Sequence, residues 1–106
     1  MTSLKPIHVQ DLRRRLEAGE AVLIDVRERD EHAREHIPEA HLAPLSGFDP
    51  AGLATDRAKI AVFHCRSGMR TQTNARRLAA CGFAEAYYLA GGIEAWKAAG
   101  LPVRTR

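Results

Sequence analysis

The stretch Ile60–Arg77, IAVFHCRSGMRTQTNARR, decides the fold. It opens on Ile60-Ala61-Val62-Phe63, a short apolar run of the kind that forms a fully buried strand. It then breaks into Cys65-Arg66-Ser67-Gly68-Met69-Arg70. From Thr71 to about Cys81 it continues as a polar, helix-compatible segment with Ala75, Leu78 and Ala79 on one side. Strand, loop and helix in that order place a cysteine at the carboxyl end of a buried strand, with the loop leading into a helix N-terminus.

The chemistry of such a place follows from backbone electrostatics. The first turn of a helix has N–H groups without internal partners and carries a partial positive charge. A loop curling onto that end aims further N–H groups at one point, which makes an anion site. The thiolate is the form of a cysteine that such a site stabilises. Arg66 and Arg70 add two positive charges, and Gly68 permits a turn that other residues resist. A thiolate held there is both a nucleophile and a reader of anionic substrates. The alternative is a buried structural cysteine before a turn, but the flank Arg-Ser-Gly-Met-Arg argues against it.

Working outward, the same alternation of strand and helix recurs. Pro6-Ile7-His8-Val9 is a short extended start, and Leu12 and Leu16 stand four apart in a helical segment from Asp11 to Ala18 that stops at Gly19. Ala21-Val22-Leu23-Ile24-Asp25-Val26 reads as a central buried strand ending in an acid. Arg27 to Glu35 is dense in charge and suits a short helix, stopped by His36-Ile37-Pro38. Ala40-His41-Leu42-Ala43 is a weak strand ended by Pro44. Residues 45–59 hold Gly47, Pro50 and Gly52, a long connection with a helical turn near Leu53. After the helix closed by Gly82 come a third buried strand, Ala86–Leu89, a turn at Gly91-Gly92, and a last helix, Ile93–Ala99, capped by Gly100 with Pro102 beyond. This order predicts an α/β fold with a mostly parallel central sheet flanked by helices on both faces. Ligands of such sheets bind at the carboxyl ends of strands, where Cys65 falls.

A chain of 106 residues fits one domain, 1–106, with enough core to stand without disulfides. Its two cysteines, Cys65 and Cys81, offer no disulfide framework. No long apolar run predicts a membrane span, and MTSLKPIHVQ lacks the pattern of a signal peptide, so the expected location is a reducing cytoplasm. The net charge of +3 raises nucleic-acid binding. Yet the arginines are scattered among acids, as at Arg13-Arg14-Arg15 and Arg76-Arg77, and stacking aromatics are sparse, so solvated helix faces explain them better.

In its motifs the chain resembles the single-domain rhodanese family of sulfurtransferases. The resemblance rests on four pieces in the family's order: Leu23-Ile24-Asp25-Val26-Arg27 with Glu31; His36-Ile37-Pro38; Cys65-Arg66-Ser67-Gly68-Met69-Arg70; and Gly91-Gly92-Ile93 with Ala95-Trp96 and Gly100-Leu101-Pro102-Val103. It implies a rhodanese-like fold and an enzyme of the thiosulfate sulfurtransferase type with no cofactor. Cys65 would take the outer sulfur of a small anionic donor such as thiosulfate and hold it as a persulfide. A cyanide or thiol acceptor, or a protein partner, would then remove it. The resemblance makes Arg66, Ser67, Gly68, Met69 and Arg70 the substrate-binding loop, with Arg66 and Arg70 on the anionic part of the donor, and makes Asp25 and Arg27 a structural pair. Glu39 stands where the family often has glycine, which puts the geometry of that turn in question.

Other residues weigh less. His64 precedes Cys65 and suggests a base, but neighbours on a strand point to opposite faces, so packing or surface is the expected role. His32, His36 and His41 match no zinc spacing, and no metal is expected. Cys81 would stand about 15 Å along a helix from Thr71, too far for a disulfide, and Trp96 reads as core. Cysteine-dependent phosphatases and arsenate reductases use a loop one residue longer between cysteine and arginine. Here Thr71 holds the position of their arginine, and the smaller cradle suits a sulfur atom. A non-catalytic module of the same fold would be expected to lack the cysteine. A relay passing persulfide sulfur between proteins is not separable from a small-molecule enzyme by sequence.

Overall fold

Alternation of side chains along the two apolar runs builds the middle of the molecule. In the computed structural model, which describes residues 4–49, 53 and 56–105, these runs are β2 (Ala21–Asp25) and β5 (Ile60–His64), and every residue of both is buried. They pair in parallel, Ala21 beside Ile60 through Asp25 beside His64. Val22, Ile24, Ala61 and Phe63 face one side of the sheet, and Ala21, Leu23, Ile60 and Val62 the other. Continuous apolar runs are what a sheet covered on both faces requires.

Around this pair the chain runs β1 (Lys5–Ile7), α1 (Val9–Glu17), β2, α2 (Arg29–Arg34), β3 (Glu35–His36), β4 (His41–Leu42), a 3-10 turn (Leu45–Gly47), β5, α3 (Met69–Thr73), α4 (Ala75–Ala79), β6 (Glu85–Leu89), α5 (Gly92–Ala98) and β7 (Arg104–Thr105). The main sheet has the order β1-β6-β5-β2-β4, and all its pairings are parallel. Leu12 of α1 with Ile93 and Trp96 of α5 covers one face, and Leu78 of α4 covers the other. Helices therefore flank both faces, as the alternation of elements predicts. No helix among the described residues is long and apolar enough to cross a membrane.

Three local readings change. The expected helix from Thr71 to Cys81 starts earlier, at Met69, and is two five-residue helices meeting at Asn74. The Asn74 side chain donates to the Arg70 carbonyl at 2.9 Å, the competition with backbone bonding that makes asparagine a poor helix interior residue. β6 starts at Glu85, which is exposed, Ala86–Tyr88 are half-buried, and only Leu89 is buried. A short antiparallel pair, Glu35 with Thr105 and His36 with Arg104, joins β3 to β7. The helical turn expected near Leu53 falls largely outside the described residues.

Glu39 is accommodated without strain. Among the described residues no side-chain-bearing residue has a positive φ, and Ala40 N–H closes the turn onto the Ile37 carbonyl at 3.0 Å.

Candidate active site

Cys65 follows β5 directly and is almost wholly buried. Its Sγ accepts the Gly68 N–H at 3.1 Å. That bond depends on the Gly68 backbone, which turns at φ 104° and ψ −11° and makes Gly68 the N-cap of α3. Left-handed backbone of this kind strongly favours glycine. The carbonyl of Gly68 is fixed the other way, accepting the Gln72 N–H at 3.2 Å, the Thr71 hydroxyl at 2.8 Å and the Gln72 side-chain amide at 3.2 Å. With its oxygen drawn into the helix, the glycine presents its N–H to the sulfur. Thr71 Oγ1 lies 4.0 Å from Sγ. An amide aimed at the sulfur stabilises negative charge that develops there.

A second helix clamps the loop from below. The first-turn amides of α5, which a helix leaves without internal partners, bond to loop carbonyls: Ile93 N–H to Cys65 O at 3.0 Å and Glu94 N–H to Arg66 O at 3.2 Å. The approach is so close that a Cβ on Gly92 would sit 2.5 Å from the Cys65 oxygen and from the Arg66 carbonyl carbon and oxygen. The Gly91-Gly92 turn therefore does more than reverse the chain.

Asp25 and Arg27 form a buried ion pair at the adjoining end of β2. Asp25 Oδ1 accepts the Arg27 backbone N–H at 2.9 Å and Nε at 3.0 Å, and Oδ2 accepts Nη2 at 2.8 Å. Nη2 also donates to the Glu35 carbonyl at 2.7 Å, tying β2 to β3. His32 Nδ1 stands 2.9 Å from Asp25 Oδ2, and its ring stacks on His36 with centroids 4.1 Å apart. His64 sits beside Asp25 in strand register, fully buried, with Nδ1 donating to the Cys65 carbonyl at 3.2 Å and Nε2 3.9 Å from Asp25 Oδ1. Burial pushes the His64 pKa down, against the pull of Asp25. It is thus a packing residue, and the surface role also considered for it is excluded.

The electrostatics of Asp25 give a pH prediction. Burial raises its pKa, but the Arg27 hydrogen bonds and the neighbouring histidines outweigh that and hold it at about 2, below the ordinary 3.8. A carboxylate whose folded value is depressed contributes stability that is complete above the unfolded value and fades as pH falls through the folded one. Chemical denaturation should therefore show a loss on the order of 2 kcal/mol between about pH 4 and pH 2. Asp25→Asn should be less stable than wild type at neutral pH and show a shallower loss across that window. Some slope remains, because Glu31 is also held at about 2, chiefly by Arg70. An unchanged acid profile in Asp25→Asn would contradict this account of the pair.

The loop arginines are placed unequally. Arg70 makes a two-pronged ion pair with Glu31, at 2.8 and 2.9 Å, joining α3 to α2 across 39 positions of sequence. Glu31 also receives the Glu28 N–H at 2.9 Å, closing a capping box on α2. Arg66 is exposed, with Nε 3.5 Å from Glu94. Ser67 and Met69 are exposed as well, so the loop's rim is open while its sulfur is covered. Cys81 is buried in the core with Phe63 and Leu78, its pKa pushed up by burial. Trp96 is buried, with Nε1 donating to the Pro102 carbonyl at 2.8 Å.

Sequence reasoning named the loop but not what holds it. The Glu31–Arg70 bond, the Thr71 hydroxyl on Gly68 and the contact at Gly92 were all missed. The signals in the chain were Glu31 and the paired glycine at 91–92, both among the motif residues, but neither names its partner and the glycines also fit an ordinary turn.

Comparison with known proteins agrees with this architecture. A family model described as a rhodanese-like domain matches residues 8–99. The chain is 35% identical over 77 residues to the thiosulfate sulfurtransferase GlpE of Coxiella burnetii, covering 73% of this chain and 72% of that protein. It is 36% identical over 105 residues to an uncharacterised Synechocystis protein, covering 98% of this chain but spanning only 57% of that relative's length. Among solved structures, the Alr3790 protein of Anabaena superposes with a TM-score of 0.80 at 28% identity, over 93% of this chain and 91% of that one. Because the matched residues take in β5, the Cys65 loop and the helix that clamps it, the chain belongs to the family of rhodanese-like domains.

Proposed function

We propose that this chain is a sulfurtransferase that carries a sulfane sulfur on Cys65. The observation that supports it most is the Gly68 N–H aimed at Sγ from 3.1 Å, in a loop fixed on both sides by helices. In the first half-reaction the Cys65 thiolate attacks the outer sulfur of the donor, thiosulfate or a persulfide. The donor's S–S bond breaks, its electron pair leaves with sulfite or the donor thiolate, and Cys65 becomes a persulfide. In the second, cyanide or a thiolate attacks that outer sulfur, and Cys65 departs as thiolate. Gly68 holds charge on the inner sulfur in both. The name of the Coxiella relative supports thiosulfate as one donor.

Asp25 and Arg27 act as scaffold in this reading, setting the end of β2 beside the loop. Arg70, engaged by Glu31, orients the start of α3, and the exposure of Arg66 and its long contact to Glu94 support assigning the donor anion to Arg66. A protein-borne persulfide is the second reading, favoured by the exposed apolar side chain of Met69 at the loop's rim, 66% accessible. The whole chain forms one such domain and works in the reducing cytoplasm.

Steady-state rates with thiosulfate and cyanide test the reading. Two sequential half-reactions give parallel double-reciprocal lines, with thiocyanate formed in proportion to turnover. Intersecting lines, or no thiocyanate from any donor, would overturn it.

A further inference from the structure

Beside the Cys65 loop lies a pocket of about 260 Å³, bordered by Arg66, Ile93, Glu94 and Lys97. Two of these, Ile93 and Glu94, are the residues whose amides hold the Cys65 and Arg66 carbonyls, so the pocket adjoins the sulfur-bearing segment itself. Its volume is on the order of eight liquid waters, well beyond what cyanide or thiosulfate would fill.

The charges around it alternate in sign. Glu94 Oε2 stands 3.5 Å from Arg66 Nε and 3.9 Å from Lys97 Nζ. Lys97 also reaches Glu35 at 2.8 Å, and Glu31 holds Arg70 at 2.8 Å. Arg27 and Arg34 complete the lining, and each has a carboxylate partner, Asp25 at 2.8 Å and Asp30 at 3.9 Å. Beyond Arg66, whose long contact leaves it able to meet a donor anion, a purely anionic ligand would have to part a cation from its acid and leave the acid uncompensated. A ligand bearing both signs replaces both halves. The exchange is easiest at the Arg66–Glu94 and Glu94–Lys97 contacts, which are long and exposed and of a kind that holds together weakly, while Lys97 can keep its 2.8 Å bond to Glu35 and still offer a donor to a ligand.

We infer that the pocket binds the sulfur acceptor as a small thiol carrying both an ammonium and a carboxylate, a thiol of the amino-acid type. Glu94 receives the ammonium and Lys97 the carboxylate. The inference rests on the sulfurtransferase reading of Cys65. The acceptor's thiolate attacks the outer sulfur of the persulfide, the bond to Sγ breaks, Cys65 keeps the electron pair, and the acceptor departs as a persulfide anion.

The test loads the full chain with sulfane sulfur, confirms the load by mass, and follows its removal by four thiols at matched thiolate concentration: L-cysteine, cysteamine, 3-mercaptopropionate and 2-mercaptoethanol. L-cysteine should half-saturate at a concentration at least about ten-fold below the other three, the size of one lost charge-assisted contact. Glu94→Gln should weaken cysteine and cysteamine, and Lys97→Gln cysteine and 3-mercaptopropionate, with the shift in half-saturation rather than in saturating rate. Four equal thiols, or variants that shift all four alike, would overturn the inference while leaving the sulfurtransferase reading standing. Failure of any donor to load Cys65 would remove that reading, and this inference with it.

Discussion

The Cys65→Ser chain is expected to lose sulfur transfer by at least about 10³-fold, the scale seen when a nucleophile is removed, while keeping a nearly wild-type fold. A serine oxygen occupies almost the same space and can still accept the Gly68 N–H that Sγ accepts at 3.1 Å. Stability should therefore change by no more than about 1 kcal/mol. The hydroxyl is not ionised at neutral pH and cannot carry sulfane sulfur as a persulfide. Thiocyanate release, read beside a thermal melt, separates the two effects. Retained turnover with an intact fold would move the chemistry off Cys65. The other thiol, Cys81, is a poor substitute because burial in the core pushes its pKa up.

Gly92→Ala is expected to damage both activity and stability, because the loop and α5 touch through backbone at that point. The added Cβ would meet three backbone atoms of Cys65 and Arg66 at 2.5 Å, and φ there is 59°, a conformation that favours glycine. No flexible side chain can move aside. The helix must withdraw, and the bonds from Ile93 N–H and Glu94 N–H to the loop carbonyls go with it. Two hydrogen bonds and a strained residue together amount to about 3 kcal/mol. Displacing the sulfur by about an ångström is enough to slow a positioned reaction about 10²-fold. Gly82→Ala is the matched control. Its φ is 83°, but nothing lies within 4 Å of a Cβ there, so it should cost about 1 kcal/mol and leave sulfur transfer unchanged. If the two variants behave alike, the clamp has no functional part.

The two central strands were legible because a strand buried on both faces needs an unbroken apolar run, and Ala21–Ile24 and Ile60–Phe63 supply one each. The site's position followed from the same pattern, since Cys65 stands two residues past the second run and Gly68 marks the turn. What could not be read are relations between distant segments. Nothing near Arg70 indicates that Glu31 binds it from 39 positions away, tying α3 to α2. Two-residue strands such as β3 and β7 carry no periodicity at all. The break at Asn74 was written in the chain but lost in a segment otherwise compatible with one helix. Glu39 shows the opposite case, a departure from a family habit that the backbone absorbs at ordinary φ.

Intact mass after thiosulfate treatment, on wild type and Cys65→Ser in parallel, tests the central claim most directly. The account predicts a gain of one sulfur atom on wild type alone, removed by cyanide with release of thiocyanate. A gain of the same sulfur on Cys65→Ser, or none on wild type with reduced Cys65 and either thiosulfate or a persulfide donor, would contradict it.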